Sequence, residues 1–163
     1  MTLVQPNPKH FRVARLMTVL FIIGLVLSGL TAMPLQTQLD LITAHLTRQS
    51  ALGEWLWRVR DAVAQINRDA PFIFYGDDWL AFGHLAIAGA FVPAVRDPVR
   101  HRWLYDYGLI LCAAVIVWAV CVGPFRGIPW GWTLVDCSFG LLGAIPLLIA
   151  RRSLSWYSGR GLG

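Results

Sequence analysis

The residues of this sequence that could do chemistry lie near the ends of apolar segments. They are one histidine, three aspartates and one arginine: His84, Asp136, Asp77, Asp78 and Arg126. An imidazole and a carboxylate can exchange a proton, and two carboxylates can divide the acid and base roles when their pKa values differ. These five are the candidate catalytic residues, and the rest of the chain must position them.

The spacing predicts that His84 and Asp136 share one layer. His84 follows Asp78 by six residues and Asp136 follows Trp130 by six, so both lie about 9 Å inside the same boundary. Each has small residues on its helical face, which lets neighbouring helices approach. An unpaired charge inside a bilayer costs at least about 2.5 to 3.5 kcal/mol, so we expect the two to pair. The pair would lock two helices together, or serve proton transfer, metal binding or substrate contact.

Asp77 and Asp78 adjoin the start of one apolar segment, and Arg126 lies in the loop before another. Neighbouring carboxylates at such a position favour helix capping and an ion pair with the arginine. The alternative is acid and base chemistry. In either case the five candidates are expected to approach one outward-facing pocket.

The pattern predicts no metal site and no cofactor-binding residues, and it leaves the identity of any cofactor unknown. His84 is the one histidine well inside an apolar segment, whereas a haem held between helices normally takes two. A closed metal site needs more protein ligands than this pair supplies. Cys112, Cys121 and Cys137 are interpreted as small packing residues, with a redox pair of the last two as the alternative. No nucleotide-binding or hydrolase motif is present.

The elements that position these residues are long apolar segments. Of the 163 residues, 56% are hydrophobic and only 14% are charged, well below the charged share of about 25% in soluble domains. The apolar segments approach the roughly 17 to 25 residues that cross a bilayer. We predict an all-α integral membrane four-helix bundle with spans at residues 16–34, about 78–95, 103–123 and 130–150. Because only residues 96–102 join them, the second and third spans are expected to form an antiparallel hairpin.

The positions of the lysine and arginine residues predict the orientation of the chain in the membrane. Basic residues cluster before the first span, between the second and third, and after the fourth: Lys9, Arg12, Arg15, Arg96, Arg100, Arg102, Arg151, Arg152 and Arg160. All three clusters fall on one side, which the positive-inside rule assigns to the cytoplasm. A basic arm at residues 1–15 and a basic tail would then both be cytoplasmic. The net charge is +5, but the basic residues do not form one patch with interleaved aromatic residues, as a nucleic-acid-binding surface would. Nucleic acid is therefore excluded as a partner.

Residues 35–77, on the opposite side, are predicted to contain two amphipathic helices. Apolar residues recur at helical spacing on either side of a break near residues 50–53. Trp55 and Trp57 lie beside the apolar residues of the second of these helices. Such tryptophans are typical of a helix that lies on the membrane or packs over the bundle. The first span could instead be a cleaved signal peptide, although its apolar stretch is long and residues 30–34 make a poor cleavage site. Gly24 and Ser28 form a weak small-residue packing signal in that span.

Four segments carry a resemblance to known proteins: residues 75–84 (YGDDWLAFGH), 96–100 (RDPVR), 123–129 (GPFRGIP) and 136–140 (DCSFG). Together they resemble a group of small uncharacterised bacterial inner-membrane proteins, over about the last ninety residues. The resemblance implies a bacterial four-helix inner-membrane protein and supplies no activity.

The sequence favours a structural or accessory membrane component, because the short loops leave little room for a catalytic domain. Its expected partners are the lipid bilayer and either membrane proteins or further copies of this chain. A membrane enzyme acting on a lipid-linked, quinone or small substrate at the His84 and Asp136 layer is the first alternative. A small proton-coupled carrier is the second, although the sequence shows no inverted repeat.

Overall fold

The computed structural model describes residues 8–154, and this part of the chain consists of helices joined by short turns and loops, with no strand. Its six α-helices are α1 (Pro8–Ala32), α2 (Leu35–Ala44), α3 (Ala51–Asp69), α4 (Tyr75–Arg96), α5 (Arg102–Val122) and α6 (Trp130–Ser153). Short 3-10 helices at Pro71–Phe74 and Pro124–Arg126 precede α4 and α6. Four helices, namely α1, α4 with its 3-10 turn, α5 and α6, are long and apolar enough to cross a membrane. The prediction of an all-helical chain with four candidate spans is confirmed.

Two helix boundaries differ from the sequence expectation. α1 begins at Pro8, a residue whose fixed φ suits the first position of a helix, so the basic residues from Lys9 to Arg15 lie inside the helix. α4 begins at Tyr75, ahead of the second span predicted at about residues 78–95, so Asp77 and Asp78 lie in its first turn. Pro71 starts the 3-10 helix that leads into it, and carboxylates are favourable in a first helical turn because the helix dipole is positive there.

The packing order of the four long helices is α4, α1, α6, α5. α1 packs extensively against both α4 and α6, and α5 packs against α6, whereas α4 and α5 barely touch. The antiparallel hairpin expected for the second and third spans is therefore joined by a short loop but is not a packed pair. α1 and α6 are the two inner helices of this order, and α4 and α5 are the outer ones, with little contact between them.

The bundle is most tightly closed at the end where α4 is joined to α5, which we call the arginine end. Tyr105 and Leu147 are fully buried there, together with Phe91 at 1% exposure. The rings of Phe21 and Phe91 lie 4.8 Å apart, and the hydroxyls of Thr18 and Tyr105 are 2.8 Å apart. Thr18 also donates to the carbonyl of Ala14, so Tyr105 donates to Thr18.

Charged contacts secure the arginine end. Arg151 on α6 forms an ion pair with Asp106 on α5, and the Nη2 of Arg15 donates to the Arg96 carbonyl at 2.7 Å. The second contact places an α1 guanidinium on an exposed carbonyl at the C-terminus of α4, where a positive charge is favourable. All four long helices are therefore joined at this end by contacts beyond apolar packing, α5 to α6 and α1 to α4.

α2 and α3 form a separate small core at the opposite end. Leu39, Leu56 and Val63 are its buried residues. Ser50 caps α3 by accepting from the Gly53 amide at 3.0 Å. The rings of Trp55 and Trp132 lie 5.5 Å apart, which joins this helix pair to the first turn of α6.

An ion pair between Asp40 on α2 and Arg60 on α3 also joins these two helices. The Nε of Arg60 lies 2.7 Å from the Asp40 carboxylate, and the Gln36 amide donates to the same oxygen at 3.1 Å. These two hydrogen bonds, that of Arg60 first, hold the pKa of Asp40 below its ordinary value of 3.8. Contact with the Asp40 and Asp61 carboxylates raises the pKa of Arg60.

Acid should loosen the α2–α3 pair. The pKa of Asp40 is lower in the folded chain than in the unfolded one, so its contribution to stability is complete above 3.8 and is lost as the pH falls through the folded value. We expect the hydrogen-exchange protection factors of α2 and α3 amides to fall below about pH 3.8 in the wild type and to stay level in an Asp40→Asn variant. Asp69→Asn, which removes a carboxylate with no described ion pair, should keep the wild-type profile. Equal pH profiles for wild type and Asp40→Asn would contradict the assignment.

Candidate functional site

His84 and Asp136 are not paired. Between residues 8 and 154 no hydrogen bond or ion pair joins them, and the described partner of His84 is its own helix: the Nδ1 lies 2.9 Å from the Leu80 carbonyl oxygen. A carbonyl oxygen only accepts, so Nδ1 carries the hydrogen and Nε2 is left for another partner. The packing order explains the separation, because α1 lies between α4 and α6. A shared depth did not bring the two side chains together.

His84 lies where α4 approaches α1 most closely. A Cβ added at Gly29 would lie 2.8 Å from the Ala81 carbonyl oxygen and 3.1 Å from the Cβ of His84. Gly29 thus lets the α4 backbone pack directly on α1, as small residues do in membrane bundles. The sequence signal for packing was instead assigned to Gly24 and Ser28, and a Cβ at Gly24 would meet nothing within 4 Å.

A cavity of about 510 Å³ lies between the four long helices. Residues of all four contribute to its walls, among them Gly24, Ser28 and Thr31 of α1, His84 of α4, Cys112 of α5 and Gly143 of α6. Phe21 and Gly108 also line it, and both contact the packed layer of Phe91 and Leu147. The cavity therefore occupies the half of the bundle beyond that layer, away from the arginine end.

The cavity wall is apolar with a few polar groups. His84 is its one histidine, and no aspartate, glutamate, lysine or arginine of the described chain lines it. The hydroxyls of Ser28 and Thr31 and the thiol of Cys112 add weaker donors and acceptors. The Thr31 hydroxyl already donates to the Leu27 carbonyl at 2.7 Å. Such a wall can hold an apolar molecule and offer a hydrogen bond to one polar group.

The other sequence candidates lie outside this cavity. Asp77, half-buried, and Asp78, exposed, occupy the first turn of α4 without forming a side-chain cap. Arg126 is exposed in the 3-10 helix after α5 and forms no described ion pair with either of them. Asp136 is half-buried on α6 and has no described hydrogen bond or ion pair. In this structure the five candidates do not converge on one pocket, and His84 alone reaches the cavity.

None of three comparisons, with protein-family models, curated proteins and solved structures, finds a match for this chain. The chemistry of the site therefore has to be argued from its geometry. Within residues 8–154 no group of three or more metal-binding side chains comes together. Cys112, Cys121 and Cys137 are free thiols, buried, exposed and half-buried in that order.

The imidazole and carboxylate pair expected for acid–base chemistry is not assembled in the cavity wall. General acid–base chemistry needs the proton donor and acceptor within hydrogen-bonding reach of one substrate, and no carboxylate accompanies His84 in the cavity wall. Sequence reasoning identified His84 but missed the cavity itself. The available signal was the pair of small residues Gly24 and Ser28, which the sequence pattern had assigned to packing and which both line the cavity.

Proposed function

We propose that this chain is a multi-pass protein of the bacterial cytoplasmic membrane that binds the apolar chain of a lipid or lipid-linked molecule between its helices, as an accessory component. The single observation that carries the proposal is the apolar cavity of about 510 Å³ bounded by all four candidate spans. Ligand sites in proteins have volumes of roughly 300 to 1,000 Å³ and apolar walls with few polar groups. A cavity at this depth is supplied with ligand by the bilayer itself.

His84 supports a ligand with one polar group. Its Nε2 has no described partner and belongs to a residue in the cavity wall. With the hydrogen on Nδ1, the Nε2 of the neutral ring accepts a hydrogen bond, so a hydroxyl on the ligand would supply the donor. A prenol or a quinol offers an apolar chain and such a hydroxyl.

The proposed orientation places both termini in the cytoplasm and α2 and α3 outside. The arginine end supports this orientation through the positive-inside rule. Leu41, Phe72 and Ile73 are 62%, 76% and 54% exposed around the α2–α3 pair, and apolar residues at that level suit the lipid headgroup boundary. The two helices would then cover the outer end of the bundle as amphipathic helices.

Filling the cavity tests the proposal. Gly24→Leu adds a side chain at an open cavity position, and Gly89→Leu adds the same side chain at an open position on α4 outside the cavity. We expect wild type and Gly89→Leu to co-purify with one enriched lipid class, measured by mass spectrometry of solvent extracts. Gly24→Leu should reduce its occupancy by about tenfold, which corresponds to about 1.4 kcal/mol of binding free energy.

Two results would overturn the proposal. One is an extract from the wild-type protein with the same composition as the surrounding membrane. The other is a Gly24→Leu protein that carries the enriched lipid class at wild-type occupancy. Circular dichroism of both leucine variants checks that the helices remain intact.

A further inference from the structure

A second, smaller pocket lies at the arginine end, in the turn between α4 and α5. Its volume is about 210 Å³, and it is lined by Val92, Pro93, Arg96, Asp97, Arg100 and His101. None of these residues lines the cavity between the helices. The two sites are therefore distinct, and they lie in different parts of the bundle.

The backbone of this turn is fixed by its own hydrogen bonds. The Asp97 carboxylate accepts from the Arg100 amide at 3.0 Å, and the Asp97 carbonyl oxygen lies 3.0 Å from the Nδ1 of His101. Arg15 of α1 donates to the Arg96 carbonyl at 2.7 Å. The pocket is thus preformed, and the single acidic side chain in it is already engaged by a backbone amide.

The guanidinium groups of Arg96 and Arg100 remain available. Both residues are exposed, and neither side chain has a described ion pair or hydrogen bond. Two guanidinium groups against one carboxylate leave the pocket with a net positive charge. The N-terminus of α5, which begins at Arg102 without a side-chain cap, adds the positive end of a helix dipole. An anion with several acceptor oxygens is the ligand that this charge and geometry suit, because a guanidinium binds phosphate oxygens in pairs.

The surroundings indicate a lipid phosphate rather than a soluble one. The pocket lies where two apolar helices end, and its wall includes Val92, which is 45% exposed. Trp103 in the first turn of α5 is 61% exposed, and tryptophan at a helix end is typical of the headgroup level of a bilayer. Acyl chains entering from this level would contact apolar side chains.

We propose that the α4–α5 turn binds the phosphate of an anionic phospholipid, with Arg96 and Arg100 contacting its oxygens. Basic pockets between helix ends on the cytoplasmic side are suited to such headgroups. The site uses only the ends of α4 and α5, and it does not depend on a ligand in the central cavity.

The test is a lipid titration of the full chain purified in a neutral detergent. Short-chain phosphatidylglycerol should raise the thermal unfolding midpoint by a few degrees, because a ligand that binds only the folded state stabilises it. Short-chain phosphatidylcholine and inorganic phosphate should leave the midpoint unchanged. An equal shift with phosphatidylcholine overturns the anionic requirement, and an equal shift with inorganic phosphate overturns the lipid as the source.

Matched arginine variants locate the effect. The double change Arg96→Gln and Arg100→Gln should abolish the shift caused by phosphatidylglycerol, whereas the lysine versions should retain part of it. Arg12→Gln removes an exposed positive charge near the same end but outside the pocket, and it should leave the shift intact. A full shift in the double glutamine variant would show that these two arginines do not hold the lipid, and a shift lost equally in Arg12→Gln would show that net charge alone is responsible. Either result would overturn the proposed site.

Discussion

Replacing Gly140 with alanine should force α5 and α6 apart and lower the free energy of unfolding by about 1 to 3 kcal/mol. A Cβ at this position would lie 2.5 Å from the carbonyl oxygen of Cys112 and 2.8 Å from the Cγ1 of Ile116. The first of these atoms belongs to the α5 backbone, so relief requires a shift of the whole helix. In a bilayer, helix association depends on close packing because lipid supplies no hydrophobic driving force. The loss of contact along the α5–α6 interface is therefore not offset elsewhere.

Gly89→Ala is the matched control for Gly140→Ala. Gly89 lies on α4, where an added Cβ would meet nothing within 4 Å. Alanine is the better helix former by up to about 1 kcal/mol, so this variant should be neutral or slightly more stable. Unfolding by sodium dodecyl sulfate in mixed micelles measures both. Equal stability of the two variants would mean that α5 and α6 are not as close in solution as in the structure.

Asp136→Leu should make the folded protein more stable, by about 1 to 3 kcal/mol. The carboxylate is half-buried within a candidate span and has no described hydrogen bond or ion pair. A carboxyl group at that depth has lost part of its hydration without gaining a described partner. Leucine removes this cost, and lipid or the neighbouring helices can accept its side chain.

The asparagine variant separates charge from polarity at the same position. Asp136→Asn removes the charge and keeps the shape, so its stability should fall between those of wild type and Asp136→Leu in the same detergent titration. A leucine variant less stable than wild type would contradict the prediction. It would reveal a partner for Asp136 outside this chain, such as a second subunit or a bound ligand.

Most of the fold could be predicted from local composition. Runs such as residues 107–125 contain no aspartate, glutamate, histidine, lysine or arginine, and a run of that length predicts a helix long enough to cross a bilayer. The lateral order of the helices could not be predicted in this way. It depends on two close approaches, Gly29 against α4 and Gly140 against α5, and a glycine in the sequence does not indicate which helix it meets.

The candidate site shows the same limit. Counting residues placed His84 and Asp136 at one depth, which is a single coordinate. Their separation depends on α1 lying between α4 and α6, a contact between distant parts of the chain. The cavity was missed for a related reason: small residues such as Gly24 favour either a close contact or an open space, and the sequence alone does not distinguish the two.

The central place of α1 has a consequence for how the bundle forms during synthesis. Among the described helices α1 is made before the other five and packs on both α4 and α6, and α6 is the last of the six in chain order. At about 5 to 20 residues per second, its second partner follows on the order of ten seconds later. In that interval α1 can pair with α4, while α5 has little to hold it until α6 arrives. A nascent chain stalled before residue 130 should therefore contain a packed α1–α4 pair and an α5 helix without a packing partner. Synthesis of α6 then supplies the contacts of both α1 and α5 in one step.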